Sequence, residues 1–242
     1  MTDTTTDDAV EVRAVYVGRP RIIGRVRGQE VESAIGKARV EAATIELGLT
    51  NLAGDRQADL SVHGGLDMAV YVYPTEHYPA WRQDGFDVDV GGLGENVALA
   101  GTTERHVRLG DVWRWGPAVV QVSQPRAPCF KLALHVGRGD IGPRMIRTGR
   151  TGWYLRVLEP GTVPTRGPFV LDQRDDEAPS IHELFAVMFR GRNGRRDGGR
   201  RGGDDAAEAL DADDIVERAL RSPALAEAWR PWLEERLAGA RR

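Results

Sequence analysis

Short alternations of apolar and polar positions run through the first 170 residues, and a helical period replaces them afterwards. From Val10 to Val17 the pattern EVRAVYV predicts a strand. Residues 18–50 are rich in Gly and β-branched residues, and the stretch Lys37 to Ile45 is a candidate to pair with that strand. Met68 to Tyr73, MAVYVY, is an apolar run ended by Pro74, too short for a typical helix, and predicts a buried strand. Thr75 is positioned to cap a short helix carrying Tyr78 and Trp81 on one face. Val112 to Trp115 and Ala118 to Gln124 flank Gly116–Pro117 and predict a hairpin. Trp153 to Leu158 follows Gly152 as a further strand, and Val163 to Leu171 closes the set. The expected architecture is mainly β, a twisted antiparallel barrel or sandwich over 10–172 with short helices, after a disordered polar tail at 1–9.

Beyond Asp172 the spacing changes. Residues 173–179 read as a polar linker, and Ser180 with Glu183 three positions on forms a capping box. Ile181, Leu184, Phe185 and Met188 then recur at helical spacing. Asp211 caps a second helix with Ala212, Ile215, Val216, Ala219 and Leu220 on one face. Ser222–Pro223 starts a third, with Leu225, Ala228, Trp229, Trp232 and Leu233 as its stripe and Pro231 as an internal kink. A small three-helix unit is therefore expected at 180–238. It is interrupted by an insert at 190–205, where Arg190 to Gly203 holds six Arg and six Gly. That composition predicts a flexible linker, although it resembles RGG-type nucleic-acid tails.

Composition narrows the function. The formal net charge of −3 argues against a general polyanion binder, and nucleic acid is not an expected partner. No apolar run approaches the length of a membrane span, and the acidic N-terminus lacks the features of a secretory signal, so a cytoplasmic location is expected. The single cysteine excludes an internal disulfide, a Cys-rich zinc site and a Cys-held iron–sulfur cluster. Among 33 basic residues only Lys37 and Lys131 are lysines, and Lys131 lies two residues from that cysteine.

Cys129 follows Pro125 and Pro128, which stiffen the chain at a strand end, and Arg126 and Lys131 supply positive charge that favours a thiolate. The alternative for this thiol is a buried, inert small side chain. Gly54 to Gly65 (GDRQADLSVHGG) is a polar, Gly-flanked segment in which His63 is a candidate proton donor or a solvent-facing turn residue. Gly91 to Val97 could turn backbone N–H groups toward an anion, with Asn96 holding the turn or a ligand, but its spacing is neither a P-loop nor a dinucleotide fingerprint. Arg144, Arg147 and Arg150 are candidates for an anion site or a solvated face. No HExxH, GxSxG or CxxC is present.

Together these segments resemble the MOSC family, named after the C-terminal domain of molybdenum cofactor sulfurase, and in particular its YiiM-like branch. The resemblance is carried by Gly54–Gly65, Ala69–Trp81 (AVYVYPTEHYPAW), Gly94–Asn96 (GEN), Gln121–Leu132 (QVSQPRAPCFKL) and Gly149–Leu158 (GRTGWYLRVL). It implies a MOSC-type β-barrel followed by a helical module. It also implies a molybdenum-pterin cofactor and reduction of N-hydroxylated compounds, including hydroxylaminopurine-type bases. By motif position Cys129 would be the molybdenum ligand, Arg56 and His63 would complete the reaction centre, and Asn96, Ser123, Gln124, Arg126 and Lys131 would surround the cofactor. A single protein thiolate suffices where the pterin brings two sulfurs, and a soft sulfur suits such a metal. Electrons would come from an external flavin-containing donor, with the helical module as its candidate dock. The alternatives are a sulfur carrier using a Cys129 persulfide and a non-enzymatic binding module.

Overall fold

The computed structural model describes residues 10–58, 64–190 and 211–240. In chain order the first strands are β1 (Glu11–Val17), β2 (Arg21–Val26), β3 (Gln29–Ser33), β4 (Ala38–Arg39), β5 (Thr44–Leu47) and β6 (Val70–Pro74). Helix α1 (Tyr78–Gln83) and strands β7 (Val97–Ala100), β8 (Val112–Trp115) and β9 (Ala118–Pro125) follow. Helices α2 (Phe130–Val136) and α3 (Ile141–Thr148) precede β10 (Trp153–Glu159), β11 (Gly161–Pro164), β12 (Gly167–Pro168) and β13 (Val170–Gln173). The chain ends in α4 (Ile181–Phe185), α5 (Ala212–Arg221) and α6 (Arg230–Ala240).

Nine strands form one curled half-barrel sheet in the order β12-β1-β7-β6-β10-β9-β8-β13, with β4 also paired to β1. All pairs are antiparallel except β6 with β7. The expected pairing of the 37–45 stretch with β1 occurs through Ala38 and Arg39, while Thr44–Leu47 pairs with β11 instead. The expected closing strand at 163–171 is three strands. One chain segment carries both ends of the sheet, because β12 pairs with β1 and β13 pairs with β8. Between them Phe169 is buried and stacks on Trp113 at 5.1 Å. Every residue of β6 is buried, which explains its unbroken apolar run. The core beneath the sheet holds Val15, Val72, Val97, Trp115, Val120, Trp153 and Leu155.

Two expectations needed revision, the Thr75 cap and the start of the third helix. Thr75 is not a cap; it opens a 3-10 turn ahead of α1, although Tyr78 and Trp81 are both buried as anticipated. Residues 174–179 connect β13 to α4 and are anchored to the barrel. Arg174 pairs with buried Asp111 at 2.6 Å, and the N–H of Leu109 donates to the Pro179 carbonyl at 3.0 Å. The third helix begins seven residues after Pro223, because the Ala226 N–H is taken by the Ser123 carbonyl of β9 at 3.2 Å. Pro231 therefore falls in the first turn of α6, where it costs no hydrogen bond, and it does not kink a helix. The capping box at Ser180–Glu183 and the Asp211 cap are both present. Leu109 from the barrel packs among Leu184, Met188, Ile215, Val216, Ala219 and Leu233, so the helices share a cluster with the sheet. The Arg/Gly insert lies outside the described residues from 191 to 210. No helix of the described residues is long and apolar enough to cross a membrane.

Two buried carboxylates brace the wall behind α1. Glu104 accepts from the N–H groups of Thr151 (2.9 Å) and Gly152 (2.6 Å) and pairs with His77 at 2.7 Å. Burial alone would raise its proton affinity. The His77 charge and hydrogen bond and the Gly152 N–H outweigh that and hold the carboxyl below its ordinary range. Gly152 adopts φ +68, and a Cβ there would collide with the Val72 carbonyl, so only glycine brings this N–H to Glu104. Glu95 accepts from Gly91 N–H (2.7 Å), Leu93 N–H (3.1 Å) and the Tyr78 hydroxyl. The glycine loop thus wraps its own carboxylate rather than an outside anion. Burial dominates at Glu95 and raises its proton affinity despite these donors.

Candidate functional site

A cavity of about 430 Å³ opens between the sheet, the loop after β9 and the C-terminal helices. That size suits a small molecule. Cys129, Arg56, Asn96, Gln124, Arg126 and Lys131 all line it.

Cys129 is half-buried, in extended backbone at the cap of α2. The turn that carries it is anchored from behind: the Arg126 N–H donates to the Gly152 carbonyl at 3.2 Å, and the Thr151 hydroxyl donates to the Arg126 carbonyl. Arg126 is 5% exposed, and its guanidinium hydrogen-bonds the Tyr154 hydroxyl. It lies 5.2 Å from the Tyr71 ring centre and donates to the Met145 sulfur at 3.2 Å. Burial works against its charge, but the surrounding Tyr71 and Tyr154 hydroxyls and the Cys129 sulfur favour it and hold it fully charged. Among the described residues, no carboxylate stands within ion-pair distance of Arg56, Arg126 or Lys131. A buried cation without an anion is costly to leave so. Gln124 is 6% exposed, and its side-chain amide makes no hydrogen bond among the described residues. Both features leave binding capacity facing the cavity.

Asn96 plays a different part. Its amide oxygen accepts from Tyr71 N–H at 3.1 Å, and its nitrogen donates to the Tyr16 carbonyl at 3.2 Å and to Asp55 at 3.0 Å. Those bonds spend it on the wall. Ser123 does not reach the cavity: its hydroxyl is engaged by the carbonyls of Asp67 (2.6 Å) and Tyr154 (3.1 Å). The candidate anion site at Arg144, Arg147 and Arg150 is not formed, since Arg144 and Arg150 both grip Asp84, at 2.7 and 2.8 Å. Arg147 is exposed on α3. His63 lies outside the described residues.

Sequence reasoning missed several lining residues. Lys37 reaches Asp55 at 2.5 Å, with side chains only 8% and 1% exposed, and Asp55 also accepts from Gly18 N–H at 2.7 Å. Burial lowers the proton affinity of Lys37 and Asp55 opposes that shift. The signal for Lys37 was its rarity, and for Asp55 its place in GDRQ. Tyr71 and Tyr154 complete the floor, their hydroxyls pushed up by burial against the opposing pull of Arg126. Ala228, Trp229 and Trp232 enter from the C-terminal helices.

Residues 59–166 match the MOSC domain model. The chain is 41% identical to Protein YiiM of Escherichia coli over 163 residues, which covers 65% of this chain and 71% of that one. The chain belongs to the MOSC domain family. The crystal structure of YiiM from Geobacillus stearothermophilus superposes with a TM-score of 0.72 at 30% identity, over 94% of this chain and 99% of that one, so the YiiM-like form includes the C-terminal helices. A Gibberella moniliformis protein named Reductase is 38% identical over 149 residues, 58% of this chain and 26% of its own length.

The donor set of this MOSC site fits a molybdenum-pterin group. Among the described residues no three His, Cys, Asp or Glu come together as a metal site. Cys129, a soft sulfur donor, lines a cavity together with a buried guanidinium that has no carboxylate partner among the described residues.

Proposed function

We propose that this protein is a molybdenum-cofactor-dependent reductase of N-hydroxylated compounds, hydroxylaminopurine-type bases included, fed by an external flavin-containing electron donor. The observation that carries the reading is the meeting in one cavity of Cys129 with Arg126, whose buried guanidinium has no carboxylate partner among the described residues. The relative named Reductase supports the reaction class.

Cys129 would hold the metal, while Arg126, Arg56 and Lys131 would hold the anionic part of the cofactor. When bound, that cofactor supplies two electrons, which with two protons convert N–OH to N–H and release water. The chain's share is position, charge and protons. Gln124 offers an amide to either ligand. Tyr71 and Tyr154 stay protonated, and the Tyr71 hydroxyl is spent on the Thr151 carbonyl at 2.9 Å. Lys37, its ammonium destabilised by burial and oriented by Asp55, is the proton donor for the departing oxygen, beside the role first assigned to His63.

Protein prepared in cells that make the cofactor should contain molybdenum and reduce an N-hydroxylated base with an artificial donor. Cys129→Ser should lose both metal and turnover. Full metal content and activity in that variant refutes the assignment of Cys129. A sulfur adduct on Cys129 in protein that holds no molybdenum points to the sulfur carrier instead.

A further inference from the structure

The cavity lining divides by origin. The charged groups and Cys129 come from the barrel, whereas Ala228, Trp229 and Trp232 come from the C-terminal helices. The chain has six tryptophans. Trp81, Trp113, Trp115 and Trp153 are buried at 0–4% exposure, and the remaining two, Trp229 and Trp232, stand half-buried at this cavity. Their rings are 6.1 Å apart and cross at 88°, so one indole face and one indole edge form a corner. Phe189 braces Trp229 from behind at 6.0 Å, and Phe185 backs Phe189 at 4.7 Å. Such a corner is held rigid before any ligand arrives, which lowers the entropic cost of stacking. Tyr71, Tyr154, Met68 and Leu93 add further apolar lining.

We infer that Trp229 and Trp232 are the specificity-determining wall of this cavity and that they select planar heteroaromatic N-hydroxylated compounds over aliphatic ones. This rests on the reductase reading for the chemistry but assigns recognition to the C-terminal helices. Those helices complete the binding site. Their aromatic residues are matched to a ring with two π-faces, while the Gln124 amide can hydrogen-bond a ring nitrogen.

The test uses the full chain in two arms. In the first, the cofactor-free protein is titrated with adenine and its tryptophan fluorescence is followed. Quenching is expected, since the four barrel tryptophans are sealed from the ligand and the two at the cavity are not. In the second, loaded enzyme is assayed with 6-hydroxylaminopurine and with N-methylhydroxylamine. Trp229→Ala and Trp232→Ala should each raise the KM for the purine by about tenfold and leave kcat and the aliphatic KM within about twofold. Trp→Phe at either position should restore most of the purine KM. Should the alanine variants fold poorly, Trp229→Leu and Trp232→Leu keep apolar packing and lose the stacking face. Equal shifts for both substrates, or no shift, overturn the assignment. Adenine binding with quenching in a protein that reduces no N-hydroxylated compound leaves the wall standing and removes the reductase reading. Reduction with unchanged purine preference in the variants does the reverse.

Discussion

Glu104 and Arg126 are both buried ions, at 2% and 5% exposure, and the fold treats them in opposite ways. Glu104 receives two backbone N–H groups and His77, a closed set of partners that belongs to the protein. Arg126 receives a ring face, a thioether, the Tyr154 hydroxyl and a cavity, but no carboxylate among the described residues. The anion is satisfied at folding and braces the wall; the cation is left with capacity for something else. A buried charge closed on itself therefore marks structure, and one left open toward a cavity marks a ligand site.

That contrast is breakable. Glu104→Ala strands Thr151 N–H, Gly152 N–H and His77 together and should cost about 4 kcal/mol in denaturant unfolding, with unchanged m-value. Arg126→Met should change stability by no more than about 1 kcal/mol, because an apolar chain replaces a costly buried cation. The same change should weaken molybdenum retention by about 10–100-fold, read by metal content after dialysis. An Arg126 variant that unfolds as readily as the Glu104 variant, with retention intact, would erase the distinction. Ser123→Ala should cost about 1 kcal/mol and leave metal content unchanged, since the hydroxyl serves Asp67 and Tyr154 carbonyls rather than the cavity.

The smallest effect lies in pH dependence. Glu104 is held below its unfolded proton affinity, so its contribution is full above the unfolded carboxyl range and is lost as pH falls through the folded value. Glu95 is raised, so its contribution is present at low pH and lost as pH rises through its folded value. Glu104→Gln should accordingly flatten the loss of Tm on acidification, and Glu95→Gln should steepen it.

Much of the barrel was legible because its signals are local. The hairpin at 112–125 announces itself by Gly116–Pro117, and Gly116 has φ +59. The capping box at Ser180 is a four-residue signal and was read correctly. Helices α2 and α3 were missed because seven and eight residues give too little periodicity, and α3 carries Gly142 and Pro143 in its first turn. The start of α6 was misread because a tertiary bond, Ala226 to the Ser123 carbonyl, decides it. At the site, the motif around Cys129 gathered the cations but could not separate Asn96 and Gln124, whose difference lies in partners from distant strands. Trp229 and Trp232 were visible as a helical stripe, and nothing local says that such a stripe faces a cavity 100 residues upstream in the chain.

The segment from β12 to β13 also sets the order of events during synthesis. Strand β1 is among the first to emerge, but its partner at Gly167 follows roughly 150 residues later, which at ribosomal speed is about 10–30 s. Through that interval β1 can pair with β4 at Tyr16–Val17 and with β7, but Glu11 and Val12 wait for β12, and β8 waits for β13 as well. Both exposed edges are then covered within seven residues of one another, by the same passage of chain. The nascent sheet thus gains both of its end strands, β12 and β13, in a single late step, and the wait before it is when a holding chaperone has most to protect.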